Sequence, residues 1–356
     1  MGGESRLLGA IARGISPYVA GEQPQDRKYI KLNTNECPYP PSPSVAKAIR
    51  NFDAEKLALY SDPNSSKLRA SIAAGYGVSA ENVFVGNGSD EVLAMAFMAF
   101  SSAGDKVYFP DITYGFYSVY ADLFQLDAVK IPLEHDFSLD VSKYENADGN
   151  IFIANPNAPT GLVLEADKIE ELLESNRDRL VVIDEAYMDF ADVASAIDLT
   201  QKHDNLLVVR TFSKSRSLAG QRIGFAIGSE PLISGLERIK FSINPYNIDR
   251  LSEEIGIAAM SDYDYFCDVR NKIMASREDF EAQLSQMGFK VVPSQANFVF
   301  VRYDGMDGRE IYEKLKENGV LVRYFAGART GDYVRITIGM PQQMMTVTKI
   351  LEKIIN

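Results

Sequence analysis

Between Asn82 and Gly228 the chain alternates short, almost wholly apolar runs with longer stretches in which apolar residues recur every three or four positions. The runs VFVGN, KVYFPD, AVKIPL, IFIANP, LVVIDEAY, LLVVRTF and FAIG have the length and branching of buried strands. SDEVLAMAFMAFSS, TYGFYSVYADLF and EADKIEELLESN, which separate some of them, predict helices. Strands with no polar face, spaced by helices, predict an α/β fold built on a mostly parallel, seven-stranded type of sheet covered on both sides. Such sheets bind ligands at the carboxyl ends of their strands. Ahead of this region lies a polar, Pro-rich entry, then two short amphipathic helices, SVAKAIRNF and SKLRASIAAGYG, around the turn SDPNSS. After Pro245 the rhythm changes to a long helical tract, then mixed strands and helices, which predicts a smaller α+β unit. The expected division is a large ligand-binding domain over residues 41–245 and a small domain of residues 246–356 carrying the N-terminal arm 1–40.

Composition narrows the function. A net charge of −12 over 356 residues argues against nucleic acid and anionic membrane as partners, since both need a basic face. Any anionic ligand must then be met by arginines placed locally. Two cysteines, Cys37 and Cys267, and two histidines, His135 and His203, lack metal-ligand spacing and are read as structural, which leaves no zinc site, no Cys/His nucleophile and no disulfide framework. No run reaches the ~18 apolar residues of a membrane span and the N-terminus lacks a secretory core, so the cytoplasm is the expected compartment.

The candidate chemistry sits at the strand ends. Lys214 lies in a polar hinge between LLVVRTF and FAIG, with Thr211, Ser213 and Ser215 beside it and Arg222 eight residues on. A lysine so placed suits a Schiff base to a phosphate-bearing aldehyde. Gly88, Ser89 and Asp90 open a helix whose first amides could seat a phosphate, with plain helix capping by Ser89 as the other reading. Tyr114 could stack on a flat ring or pack in the core. Asn155 and Asn157 stand on a turn with two prolines. Asp184 ends an apolar strand, where an unpaired carboxylate would cost several kcal/mol, so it needs a cationic or protonated partner. A protonated pyridine nitrogen would serve, and Tyr187 with Asn157 could bond the ring hydroxyl. An amine, a carboxylate, an amide and a phenol, a stacking ring and a phosphate cradle together match the demands of pyridoxal phosphate.

In order and spacing, GSDE, TYGFY, NPNAPTG, DEAY and TFSK…LAGQRIG resemble the fold-type-I aminotransferases, and within them most closely the histidinol-phosphate aminotransferases. The likeness runs over nearly the whole chain. It implies a pyridoxal 5'-phosphate enzyme with the cofactor held covalently by Lys214, Asp184 as the pyridinium partner, Asn157 and Tyr187 on the ring oxygen, and Tyr114 as the stacking ring. Ser89, Asp90, Ser213 and Arg222 would hold the phosphate. It also implies a homodimer with shared active sites, Tyr60 reaching the neighbouring subunit's cofactor. Many relatives carry Asn where this chain has Ala158. Arg335 resembles the arginine that fixes a substrate carboxylate; Arg323 would suit the added charge of a phosphate ester, and Tyr18 and Asn35 are further substrate candidates. The expected reaction is transamination of L-histidinol phosphate with 2-oxoglutarate, giving imidazole-acetol phosphate and L-glutamate in histidine biosynthesis. An aromatic amino-acid aminotransferase and a phospho-amino-acid decarboxylase on the same fold are the rivals, and a non-catalytic regulatory protein that keeps the cofactor pocket is a further one.

Overall fold

The computed structural model describes residues 6–355. Its centre is a seven-stranded sheet in the order Val83–Gly86, Gly224–Gly228, Leu206–Thr211, Val181–Asp184, Asn150–Ala154, Lys106–Pro110, Asp127–Ile131. All neighbours pair in parallel except Gly224–Gly228, which runs antiparallel to both of its partners. The apolar runs are continuous because both faces are covered. Leu206 and Val208 join a core with Leu68, Ile72, Leu172 and Ile255, while Leu207 and Val209 join a second core with Val92, Phe97, Tyr117 and Leu236.

A four-stranded antiparallel sheet, Arg323–Tyr324, Tyr333–Thr337, Phe298–Arg302 and Lys290–Val292, forms the second unit. The helices Tyr263–Gln286, Gly308–Glu317 and Pro341–Ile355 contribute Phe280, Ile311 and Val347 to its core. The N-terminal arm lies against it: Ile30–Lys31 pairs in parallel with Val320–Leu321, and Arg27 donates to the Lys316 carbonyl at 2.6 Å. The helix Arg250–Ser261, expected with this smaller unit, instead packs on the helices Pro43–Asn51 and Ser66–Tyr76 of the larger one, burying Ile255 and Ala259 there. Apolar periodicity marks that helix as buried but does not say against what.

The strand register lines up one edge of the large sheet. Gly86 faces Gly224, Gly224 faces Thr211, Val209 faces Asp184, and Asp184 faces Ala154. The segments leaving those residues, 87–90, 155–161, 185–190 and 212–222, therefore converge at the carboxyl edge.

Candidate active site

A cavity of about 730 Å³ opens at this edge. The helix Gly88–Phe100 starts on its rim, leaving its first amides without helical partners and aimed at any anion there. Two glycines make that start possible. A Cβ on Gly88, whose φ is +82°, would meet the Arg222 guanidinium at 2.5 Å, and one on Gly224 would meet the Ser89 amide nitrogen at 2.3 Å. Arg222 itself takes a left-handed conformation, uncommon for a residue with a side chain, and this turns its guanidinium back onto Asp90 at 3.0 Å. Ser213 is fixed by its own turn, its amide donating to Thr211 Oγ1 at 3.1 Å and its hydroxyl accepting from that Oγ1 at 2.9 Å.

Lys214 and Asp184 line the same cavity. The Lys214 amine donates to the Thr34 carbonyl at 3.1 Å and has no carboxylate within ion-pairing distance among the described residues. Burial pushes this amine down to about 8; Arg335 and Arg222 push the same way, while Glu36 and Asp90 oppose them. Among the described residues, Asp184 is buried without a cation and its carboxylate accepts only from the Tyr117 hydroxyl at 3.1 Å and the Ala186 amide at 3.2 Å. Burial pushes its carboxyl up to about 7 despite those two donors, and Asp90 and Glu185 add to the rise. Both shifts have the cause usual for functional groups held out of water.

The cavity's other wall comes from the arm and the small sheet. Arg323 and Arg335 are direct partners in the antiparallel register, and both reach the cavity. Arg335 lies 5.1 Å from the Phe298 ring centroid and 5.4 Å from that of Phe325; it donates to the Asn33 carbonyl at 3.2 Å, and its buried Nε has no hydrogen-bond partner among the described residues. Burial holds its guanidinium below the usual range, with Arg323 contributing. Arg323 donates to the Val19 carbonyl at 3.0 Å, and Tyr18 stacks on Phe116 at 4.3 Å. The Asn35 amide donates to the Tyr187 hydroxyl at 2.9 Å, so the tyrosine oxygen accepts and its proton is free to donate.

The family model for aminotransferase class I and II matches residues 27–354. The chain belongs to that family. It is 54% identical over 95% of its length, and 96% of the other chain, to a histidinol-phosphate aminotransferase of Brachyspira hyodysenteriae. It is 47% identical, over 99% of both chains, to the protein of that name from Clostridium botulinum. Among solved structures, the histidinol-phosphate aminotransferase of Sinorhizobium meliloti in complex with pyridoxal-5'-phosphate aligns with a TM-score of 0.90 at 26% identity, covering 99% of this chain and 98% of that one.

In this aminotransferase the cavity gathers most of the side chains singled out from sequence: Ser89, Asp90, Tyr114, Asp184, Tyr187 and the 211–214 hinge on one side, and Tyr18, Asn35, Arg323 and Arg335 on the other. Two placements differ from expectation. The Asp90 carboxylate is used by Arg222 and by the Tyr114 hydroxyl at 2.6 Å, and a carboxylate repels a phosphate, so only its main-chain amide suits phosphate binding. Asn157 does not line the cavity; its amide donates to the Ile112 carbonyl at 3.0 Å and Thr160 at 3.1 Å, and its oxygen accepts from Thr113 at 2.9 Å. Ala158 and Thr113 stand on the surface in its place. Tyr60, expected to serve a neighbouring subunit, lies outside this chain's own cavity, 77% exposed and stacked on Tyr246 at 4.5 Å. Sequence reasoning passed over Tyr117, which donates to Asp184, and Thr34, which accepts from Lys214. A tyrosine in a helix and a backbone carbonyl carry no local signal of such roles.

Proposed function

We propose that this aminotransferase uses pyridoxal 5'-phosphate held by Lys214 and transfers the amino group of L-histidinol phosphate to 2-oxoglutarate. The cofactor suits the residues present. A buried carboxylate without a cation among the described residues at Asp184 calls for a protonated ring nitrogen, a buried amine without a carboxylate partner among them at Lys214 calls for a carbonyl, and the glycine-cleared helix start beside Arg222 calls for an anion. When bound, the cofactor supplies an electron sink for the charge released at the substrate Cα. Asp184 would hold the ring nitrogen's proton, and Tyr187 would donate to the ring oxygen. Ser89, Ser213, Arg222 and the amides of residues 88–90 would take the phosphate, and Tyr114 would lie beside the ring. Lys214, whose amine burial pushes down to about 8, would be the base for the substrate's Cα proton.

The observation that carries the substrate is the cross-strand pair Arg323 and Arg335 on a single cavity wall. One arginine suffices for a carboxylate; a second, with the unpaired Nε of Arg335, suits the dianionic phosphate ester that replaces it. The rings of Tyr18 and Phe325 nearby favour, as a second reading, an aromatic amino-acid donor. Adding histidinol phosphate, phenylalanine or threonine phosphate singly to the loaded protein separates these. Histidinol phosphate discharges the cofactor's yellow absorbance fastest; a faster discharge by phenylalanine, or release of carbon dioxide from threonine phosphate, overturns the substrate assignment.

The chain divides into a cofactor-binding unit and a smaller lid-like unit, with the boundary moved to about residue 261 by the packing of Arg250–Ser261. It acts as a homodimer: Leu57, Leu59, Tyr60, Phe241, Ile243 and Tyr246 are exposed within neighbouring segments, an apolar face suited to a second copy whose cavity Tyr60 would enter. A dimer of biosynthetic enzymes of this kind fits the cytoplasm, and no helix among the described residues is long and apolar enough to cross a membrane.

A further inference from the structure

Behind the cavity lies a polar cluster that the chemistry above does not use. Asp184 shares its strand face with Val182, in one core, whereas Arg210 shares its face with Val208, in the core on the other side of the sheet. Arg210 is buried, and its guanidinium donates to Glu185 at 2.9 Å, to Asp189 at 2.8 Å and to the Tyr76 hydroxyl at 3.4 Å. Glu185, also buried, accepts in addition from the Ser195 hydroxyl at 2.6 Å and the Ala196 amide at 2.7 Å. The other oxygen of Asp189 accepts from the hydroxyl of Ser215, the residue after Lys214.

The topology gives this cluster a task. The ladder between the strands Val181–Asp184 and Leu206–Thr211 ends at the bond from the Glu185 amide to the Val209 carbonyl, 2.8 Å. Past it, among the described residues, no main-chain hydrogen bond joins residues 186–190 to 212–217. Yet Tyr187 is on the first of these segments and Lys214 on the second. The side chains that span the gap are Asp189, two residues beyond Tyr187, and Ser215. Arg210 anchors Asp189 from below.

We propose that Asp189 and Arg210 are positioning residues for transamination, acting through Ser215 as a crossbar that fixes the distance between the Lys214 amine and the Asp184–Tyr187 edge. This rests on the assignment of Lys214 made above. A misplacement of about 1 Å in such a site costs on the order of 100-fold in rate, so a modest loosening is readable. Loosening would also let the amine reach water; it faces Glu36, Asp90, Arg222 and Arg335, and less burial moves its titration upward.

The test is Ser215→Ala, with Ser215→Thr as the rescue and Asp189→Asn as a second variant that keeps an acceptor but loosens the hold on Arg210. Two quantities are followed: steady-state kinetics, and the pH midpoint of pyridoxal phosphate uptake by the apoprotein. The crossbar predicts a kcat about tenfold lower for Ser215→Ala with KM within about twofold, a higher uptake midpoint, and recovery of both in Ser215→Thr. Wild-type kcat and midpoint in Ser215→Ala and Asp189→Asn, or a fall in Tm with neither quantity moved, overturns it. Lys214→Ala isolates the parent assignment: uptake with an unchanged yellow band there overturns Lys214, whereas normal wild-type uptake with an unshifted Ser215→Ala overturns the crossbar alone.

Discussion

Asp184 is destabilising to the chain that carries it unless a cation occupies the cavity. Its folded carboxyl titrates near 7 against an ordinary 3.8, so the folded state holds a proton that the unfolded state releases between those values. Stability of the apoprotein attributable to this residue therefore falls as pH rises from about 4 to 7 and stays low above. Asp184→Asn should stabilise the apoprotein at pH 8, on the order of 2 kcal/mol by denaturant titration, while abolishing turnover. Lys214 works in the opposite sense: its folded amine titrates near 8, below the ordinary 10.5, so its penalty is present at neutral pH and lifts as pH rises from about 8 to 10.5. Replacing Lys214 with Met should raise apoprotein Tm at pH 7 more than at pH 10. Asp184 stood out in the sequence because a charge at the end of an apolar strand demands a partner, and Lys214 because hydroxyls and an arginine crowd its hinge. The partners of Asn157 were not legible, because those of an amide are decided by which loop packs beside it, here the Ile112 carbonyl and Thr160.

At the scale of elements, the proposed phosphate seat depends on two backbone segments meeting where no side chain fits. A Cβ at Gly224 would come within 2.3 Å of Ser89 N and 2.4 Å of Gly88 C, main-chain atoms that cannot rotate away. Gly224→Ala should push the helix start off the sheet edge, costing about 1–3 kcal/mol of stability and weakening retention of pyridoxal phosphate on dialysis. The run GSDE announced a helix start and the hinge LAGQRIG announced a turn. Neither announced that Gly224–Gly228 runs antiparallel, since an apolar run has no direction until its neighbours are known. Tyr114 was read inside a helix that in fact begins at Phe116; the turn Thr113–Gly115 ahead of it frees the ring to line the cavity.

Across the whole molecule, the smaller sheet and the larger one are joined through the segment 133–137. Arg329, from the smaller unit, holds the Leu133 carbonyl at 2.9 Å and the Glu134 carbonyl, and Phe137 packs edge-on against Phe300 and Tyr333. Leu57 and Leu59 are both exposed, in the segment that carries Tyr60. Leu57→Ser with Leu59→Ser should leave the fold intact but lower the mass measured by light scattering toward that of one chain, with loss of cofactor affinity. Alternation of strands and helices made the larger unit readable, whereas the docking of Arg250–Ser261 depended on contacts that no local pattern encodes.

Arg323 faces two ways. One edge of its planar fork is pinned by the Val19 carbonyl, which leaves the remaining donors directed inward. The arm thus aims a charge it does not itself possess. Clipping the chain behind Gly21 would untether that fork, and the enzyme so trimmed should bind doubly charged donors poorly while still retaining its coenzyme.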